Sequence, residues 1–172
     1  MAKPDLSAVD PRRLVVVQSA LAEFERLQAL GGDPEAVAKW LRERVPEYWA
    51  DVLHQSALAP HPPHWCGAFA LFNLHQGGLG LGQRWMFGPP HYGFCYALHQ
   101  LGAHTLPEPG DVAYLNEPYQ HHAVVHFVEG DLVHTIDGNQ GAHSPILQHT
   151  HPLRHWTAFY SIDPWLEPEN VA

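Results

Sequence analysis

The sequence predicts an α+β fold in a single domain of 172 residues, on three observations. Apolar residues recur at helical spacing through the first half, strand-like runs take over from Leu106, and Cys66 stands where a proline-rich loop turns into an apolar helix. Helices first and antiparallel strands after them make α+β rather than alternating α/β.

The elements follow in order. Residues 1–9 read as a loose tail. Asp10-Pro11 is a helix start, a capping oxygen followed by proline at the first helical position. Leu14, Val17, Leu21 and Phe24 then recur helically until Gly31-Gly32. Asp33-Pro34 repeats the start, with Val37, Trp40 and Leu41 as its stripe. Pro46 is expected to open a third short helix carrying Trp49, Val52 and Leu53, which completes a helical N-terminal part over 10–58. "APHPPH" is a stiff loop, because residues before prolines are pushed out of the helical region. A helix is expected from Cys66 to about Gln76, with Ala68, Phe69 and Phe72 inward and Gly77-Gly78 as its stop.

"GGLGLGQRWMFGPP" lacks the Gly-Lys-Ser/Thr ending of a phosphate loop and follows a helix, so it reads as a connection lining a cleft. "HYGFCYALHQLG" reads as another short helix with Cys95 as a small buried hydrophobe. A Pro-Gly-Asp turn leads into a strand at 112–115. Residues 123–128 and 132–136 make a hairpin around Glu129-Gly130-Asp131. A last strand at 156–162 places Trp156, Ala158, Tyr160 and Ile162 on one face.

Composition narrows the function. A formal net charge of −9 with no basic stripe argues against a nucleic-acid partner. The 15 histidines would carry that charge to +6 if all were protonated, so solubility and partner charge depend on pH near neutrality. No apolar run approaches the ~18 residues of a membrane span. The N-terminus does not read as a signal peptide, since its short apolar stretch lies behind Asp5 and Asp10. The expectation is a protein made in the cytoplasm without a classical signal. Two cysteines, Cys66 and Cys95, form neither a C-x-x-C pair nor a disulfide framework.

A thiol at a helix start has a chemical reason. Unpaired N–H groups and the positive dipole end favour thiolate over thiol, and the same groups can hold an oxyanion. A thiolate nucleophile needs a histidine base, and the histidine needs a group that fixes its ring. His122, which begins a strand, is the expected base. Asp137 and Asn139, two apart on the returning strand, are the expected orienting groups on one face, with Gly138 sparing bulk on the other. A mere turn at 137–139 is the competing reading. Trp65 and Trp85 are candidates to line a substrate cleft, with core packing expected for at least one. His121, His122, His126 and His134 share one hairpin, but there is no H-E-x-x-H, so zinc ranks below the thiol and neither metal nor cofactor is expected.

"HWCGAFALFNLHQGGLG", "PEPGDVAYL", "HHAVVHFVEGD" and "TIDGNQG", in that order over residues 62–162, together resemble the CHAP (cysteine, histidine-dependent amidohydrolase/peptidase) group of the NlpC/P60 papain-like superfamily. The resemblance implies a papain-like fold, with the cysteine helix packed on an antiparallel sheet, and cleavage of amide bonds in peptidoglycan. By position it makes Cys66 the nucleophile, His122 the base, and Asp137 and Asn139 the members of an acid-x-Asn pair. His121 stands where the family often has glycine, which leaves the base ambiguous by one residue. Aspartate replaces the commoner glutamate, which leaves the choice between Asp137 and Asn139 open.

The expected function is therefore a cysteine amidase or endopeptidase acting on peptidoglycan or muropeptides, as a phage lysin or a delivered antibacterial effector working in the bacterial envelope. A delivered toxin would have an immunity or delivery protein as partner. The alternatives are a thiol enzyme for another amide or acyl substrate and a catalytically silent binding module.

Overall fold

A computed structural model describes residues 6–53, 64–78, 103–104 and 106–163. The first helix, α1 (Pro11–Gln28), starts where its capping signal places it, with the Asp10 carboxylate accepting from the Arg12 amide at 2.8 Å. Its buried stripe is Arg13, Val16, Val17, Ala20, Glu23 and Leu27, while Leu21 and Phe24 are only partly buried. Two charged residues thus belong to the buried face, and each has partners there.

Arg13 donates to Asp111 Oδ1 at 2.7 Å and to the Pro109 carbonyl at 3.0 Å, and it also pairs with Asp163. Asp111 is fully buried in the Pro-Gly-Asp turn, where its other oxygen accepts from the Glu108 amide. Gly110 has φ +89°, and a Cβ there would lie 3.1 Å from the Arg13 carbonyl oxygen, so this turn requires glycine under α1. Glu23 accepts a two-pronged bond from Arg44 at 2.7 and 2.8 Å and a third from the Tyr48 hydroxyl at 2.6 Å.

Arg44 and Tyr48 lie on α2 (Pro34–Leu53), and here the expectation of a separate third helix fails. One helix runs straight through Pro46. The ring removes the donor for the carbonyl four residues back, but Val37, Val45, Tyr48 and Trp49 form one buried stripe across it. The Glu23–Arg44–Tyr48 bonds fasten the turn around the proline to α1.

The third helix, α3 (Cys66–Gln76), has the expected bounds and is buried at every residue from Cys66 to Leu74. A helix that is apolar all round must be covered all round. α1 and α2 pack on one side of it and the sheet on the other. Its polar Asn73 is satisfied, accepting from Ser19 at 2.7 Å and donating to the Phe69 carbonyl at 2.7 Å.

The described strands are β1 (Ala103–His104), β2 (Val112–Leu115), β3 (His121–Glu129), β4 (Leu132–Gly138), β5 (Ile146–Pro152) and β6 (Ala158–Tyr160). They form an antiparallel sheet in the order β1-β6-β2-β3-β4-β5. The fold is α+β. One face, with Val112, Tyr114, Val124, Ile136 and Tyr160, joins the helices in the main core. The other carries a smaller cluster of Ala113, Leu115, Ala123, Val125, Val133, Trp156 and Phe159.

Two strand expectations change. β5 was not anticipated, and the last strand is shorter than residues 156–162. Trp156 follows a 3-10 turn (Leu153–His155) and packs in the smaller cluster, apart from Ala158, Tyr160 and Ile162. The expected short helix around Cys95 lies outside the described residues. Among the described residues no helix is long and apolar enough to cross a membrane.

Candidate active site

Three chain segments meet at Cys66: the start of α3, the start of β3 and the end of β4. Their spacing is set by Gly138. A Cβ on Gly138 would lie 2.8 Å from Phe69 Cβ and 2.9 Å from Trp65 Cζ3, so only glycine lets α3 approach the sheet this closely. Trp65, the residue before the cysteine, stacks on Tyr48 with ring centroids 5.8 Å apart. The Glu23–Arg44–Tyr48 network of the N-terminal helices therefore backs the residue that carries the thiol into place.

Cys66 is buried, with 7% of its surface exposed. Burial alone would push its thiol up. Hydrogen bonding and charge from His121 and His122 outweigh it and bring the thiol down to about 5. Burial likewise disfavours charge on His121, but Asp137 and the Cys66 thiolate reverse this and raise the imidazole to about 9. Asp137 is held down at about 2 against its own burial, by His121, His149 and Thr135. Between about pH 5 and 9 the stable state is a buried thiolate–imidazolium pair backed by a carboxylate.

The hydrogen bonds assign the ring nitrogens. His121 Nε2 lies 2.9 Å from Asp137 Oδ2, so that nitrogen donates to the carboxylate and leaves Nδ1 for the thiol. Thr135 donates to Asp137 Oδ1 at 2.5 Å, and His149 Nδ1 lies 3.3 Å from Oδ2. The Gln140 side-chain amide covers the same edge of the ring, its nitrogen 3.1 Å from His121 Nε2 and donating to the Gly138 carbonyl at 3.3 Å.

Of the two adjacent histidines, the one beside the carboxylate is His121 and not His122. Val124 and Ile136 pair across β3 and β4 and both face the helices. Side chains alternate along a strand, so Asp137 points the other way, with the parity of His121 and not of His122. His122 instead packs its ring against Tyr114, centroids 5.0 Å apart, and its Nε2 is buried with no hydrogen-bond partner. It remains a neighbour of the thiol but has no orienting carboxylate.

Asp137 lies beside an imidazole, that of His121. Asn139 does not share its strand face. β4 ends at Gly138, and Asn139 turns away with φ +62°. The polar amide beside the imidazole belongs to Gln140. Trp65 is a core residue with its ring buried, so its expected place on a cleft wall is not observed. Trp85 and Cys95 lie outside the described residues.

Thr135, Gln140 and His149 were missed. The signal for the first was present: Thr135 lies two residues before Asp137 and so shares its strand face. His149 needed the register of β5, in which it pairs with Thr135. Among the described residues no group of three or more His, Cys, Asp or Glu side chains is arranged to hold a metal ion.

The first turn of α3 completes the site. Its N-cap residue is Trp65, which makes no side-chain capping bond. The cap residue therefore supplies no side-chain acceptor to the amides of that turn, which stand next to the sulfur. Comparison of the chain with protein-family models, with curated proteins and with solved structures finds no match.

Proposed function

We propose that the protein is a papain-like cysteine hydrolase that cleaves an amide bond of bacterial peptidoglycan or its muropeptides. The observation that carries the reading is the chain Cys66–His121–Asp137 at the start of a buried helix, with the thiol lowered to about 5 and the imidazole raised to about 9. The CHAP-like order of motifs over 62–162 supports the papain-like assignment and the substrate class.

In the proposed cycle the Cys66 thiolate attacks the amide carbonyl. N–H groups at the start of α3, including that of Cys66, receive the developing oxyanion. His121 gives the proton on Nδ1 to the leaving amine, and an acyl-thioester forms. A water then attacks the thioester while His121 accepts its proton, and collapse releases the carboxylic acid and the thiolate. Asp137 keeps Nε2–H engaged throughout, so Nδ1 always faces the sulfur. In this reading the enzyme works in the bacterial envelope, as a lysin or a delivered effector.

The test is mass spectrometry of purified sacculi after incubation with the protein and with Cys66→Ala. The expected result is a new amine–carboxylate pair at one amide position with the native protein alone. Unchanged sacculi and muropeptides, from a folded protein whose Cys66 still alkylates rapidly, would redirect the same thiol chemistry to another amide or acyl substrate.

A further inference from the structure

We propose that His149 is a positioning residue that acts on the base through Asp137 and makes the site pH-responsive. It rests on the reading of Cys66 and His121 as the reacting pair.

Asp137 Oδ2 is shared by two imidazoles, His121 Nε2 at 2.9 Å and His149 Nδ1 at 3.3 Å. The sharing is built in by register. His149 pairs with Thr135 across β4 and β5, and both point to the face that carries Asp137. The two histidines differ in their access to water. His121 is buried, whereas His149, on the edge strand, keeps 32% of its side chain exposed. The inner ring is therefore the one at the thiol, and the outer ring can exchange protons with solvent.

Among the described residues, the charged and titratable groups facing His149 are few. From β4 comes Asp137, with the neutral Thr135 hydroxyl beside it; from β3 comes His121. Along its own strand His151 lies 5.7 Å away and is itself stacked on His155. The Asp137 carboxylate favours protonation of His149, and His121 opposes it. Once His149 carries a charge, one carboxylate serves two cations. Its hold on the His121 imidazolium weakens, and with it the support for the Cys66 thiolate. Neutral His149 with hydrogen on Nδ1 still donates to Oδ2 and fixes the carboxylate without competing for its charge. The site is thus fully poised only above the titration of His149, on the alkaline side of ordinary histidine.

Two measurements on the full chain test this. The first is the iodoacetamide alkylation rate of Cys66 against pH, mapped by peptide so that Cys95 is counted separately. The native protein should show the rise near pH 5, where the charged His149 competes for Asp137. His149→Gln keeps a donor but cannot carry that charge, so its rise should lie at lower pH, by up to about one unit of coupling.

The second measurement follows the ring nitrogens of His121 by NMR through the same range. The native protein should show a step at the titration of His149 that His149→Gln lacks. A native alkylation profile superimposable on that of His149→Gln, or the absence of the His121 step, overturns the proposal. Slow alkylation of Cys66 with the His121 step present overturns the nucleophile reading instead and leaves the coupling standing.

Discussion

His121 Nε2 and Asp137 Oδ2 lie 2.9 Å apart, each buried, on adjacent strands, while the neighbouring His122 faces the helices and has no carboxylate. One step along a strand separates the histidine that meets the carboxylate from the one that does not. His121→Ala should abolish turnover. His122→Ala should leave measurable turnover, losing at most the second hydrogen bond to the thiolate. Steady-state kinetics on sacculus-derived muropeptides, with circular dichroism to confirm folding, separates the two. Equal loss in both variants would return the choice of base to the pair.

The pH profile follows from the ion pair. The rate should rise as pH passes about 5, where the thiol ionises, and fall as pH passes about 9, where the imidazolium deprotonates. Asp137→Asn removes the charge that holds the imidazolium, so the alkaline limb should move to lower pH and the acid limb to higher pH. The same groups act on stability. The raised His121 contributes fully below its ordinary value near 6.5, and this contribution is lost as pH rises through about 9. The lowered Asp137 contributes above about 4, and this is lost as pH falls through about 2. Denaturant titrations across pH, native against Asp137→Asn, read the difference.

Gly138→Ala should lower both stability and rate. The added methyl meets Phe69 and Trp65 at under 3.0 Å, and overpacking of this kind costs about 1–3 kcal/mol. Because the strain separates α3 from β4, the distance from Cys66 to His121 should lengthen as well. The check is slower alkylation of Cys66 at pH 7 alongside a lower urea midpoint.

Glu23→Gln, far from the sulfur in sequence, should destabilise the protein by about 1.5–3 kcal/mol, the scale of a hydrogen bond to a buried charged acceptor, since the half-buried Arg44 keeps Glu47 as a partner. Chemical denaturation measures it. Tyr48 loses a strong acceptor in the same step, so the Tyr48–Trp65 stack behind Cys66 should loosen. Tryptophan fluorescence should then shift before global unfolding.

The helix starts, the bounds of α3, the hairpin and the site members Cys66 and Asp137 were legible because each has a local cause: a cap, a glycine stop, a turn, an alternation. The rest depended on distant partners. Apolar periodicity could not place Arg13 and Glu23 on the buried face of α1, because their counterions lie elsewhere in the chain. Pro46 reads locally as a helix start, and tertiary packing on both sides of it overrides that signal. β5 escaped because an edge strand rich in His, Gln and Thr shows little apolar alternation. The choice between His121 and His122 stayed open because two adjacent histidines can be told apart only by which face the carboxylate occupies. That follows from the pairing of Val124 with Ile136.

The buried guanidinium of Arg13 has a consequence for the order of assembly. Its partners, Asp111 and Asp163, follow 98 and 150 residues later. During synthesis Arg13 keeps its charge in water until Asp111 has emerged, and its set of partners is complete only with Asp163. Contacts of this span slow folding. They also mean that a nascent chain, although it already carries the cysteine, lacks the clasp that draws α1 onto α3 and the sheet. The Cys66 sulfur reaches the surroundings described above only once Asp163, just past β6, joins the charges around Arg13.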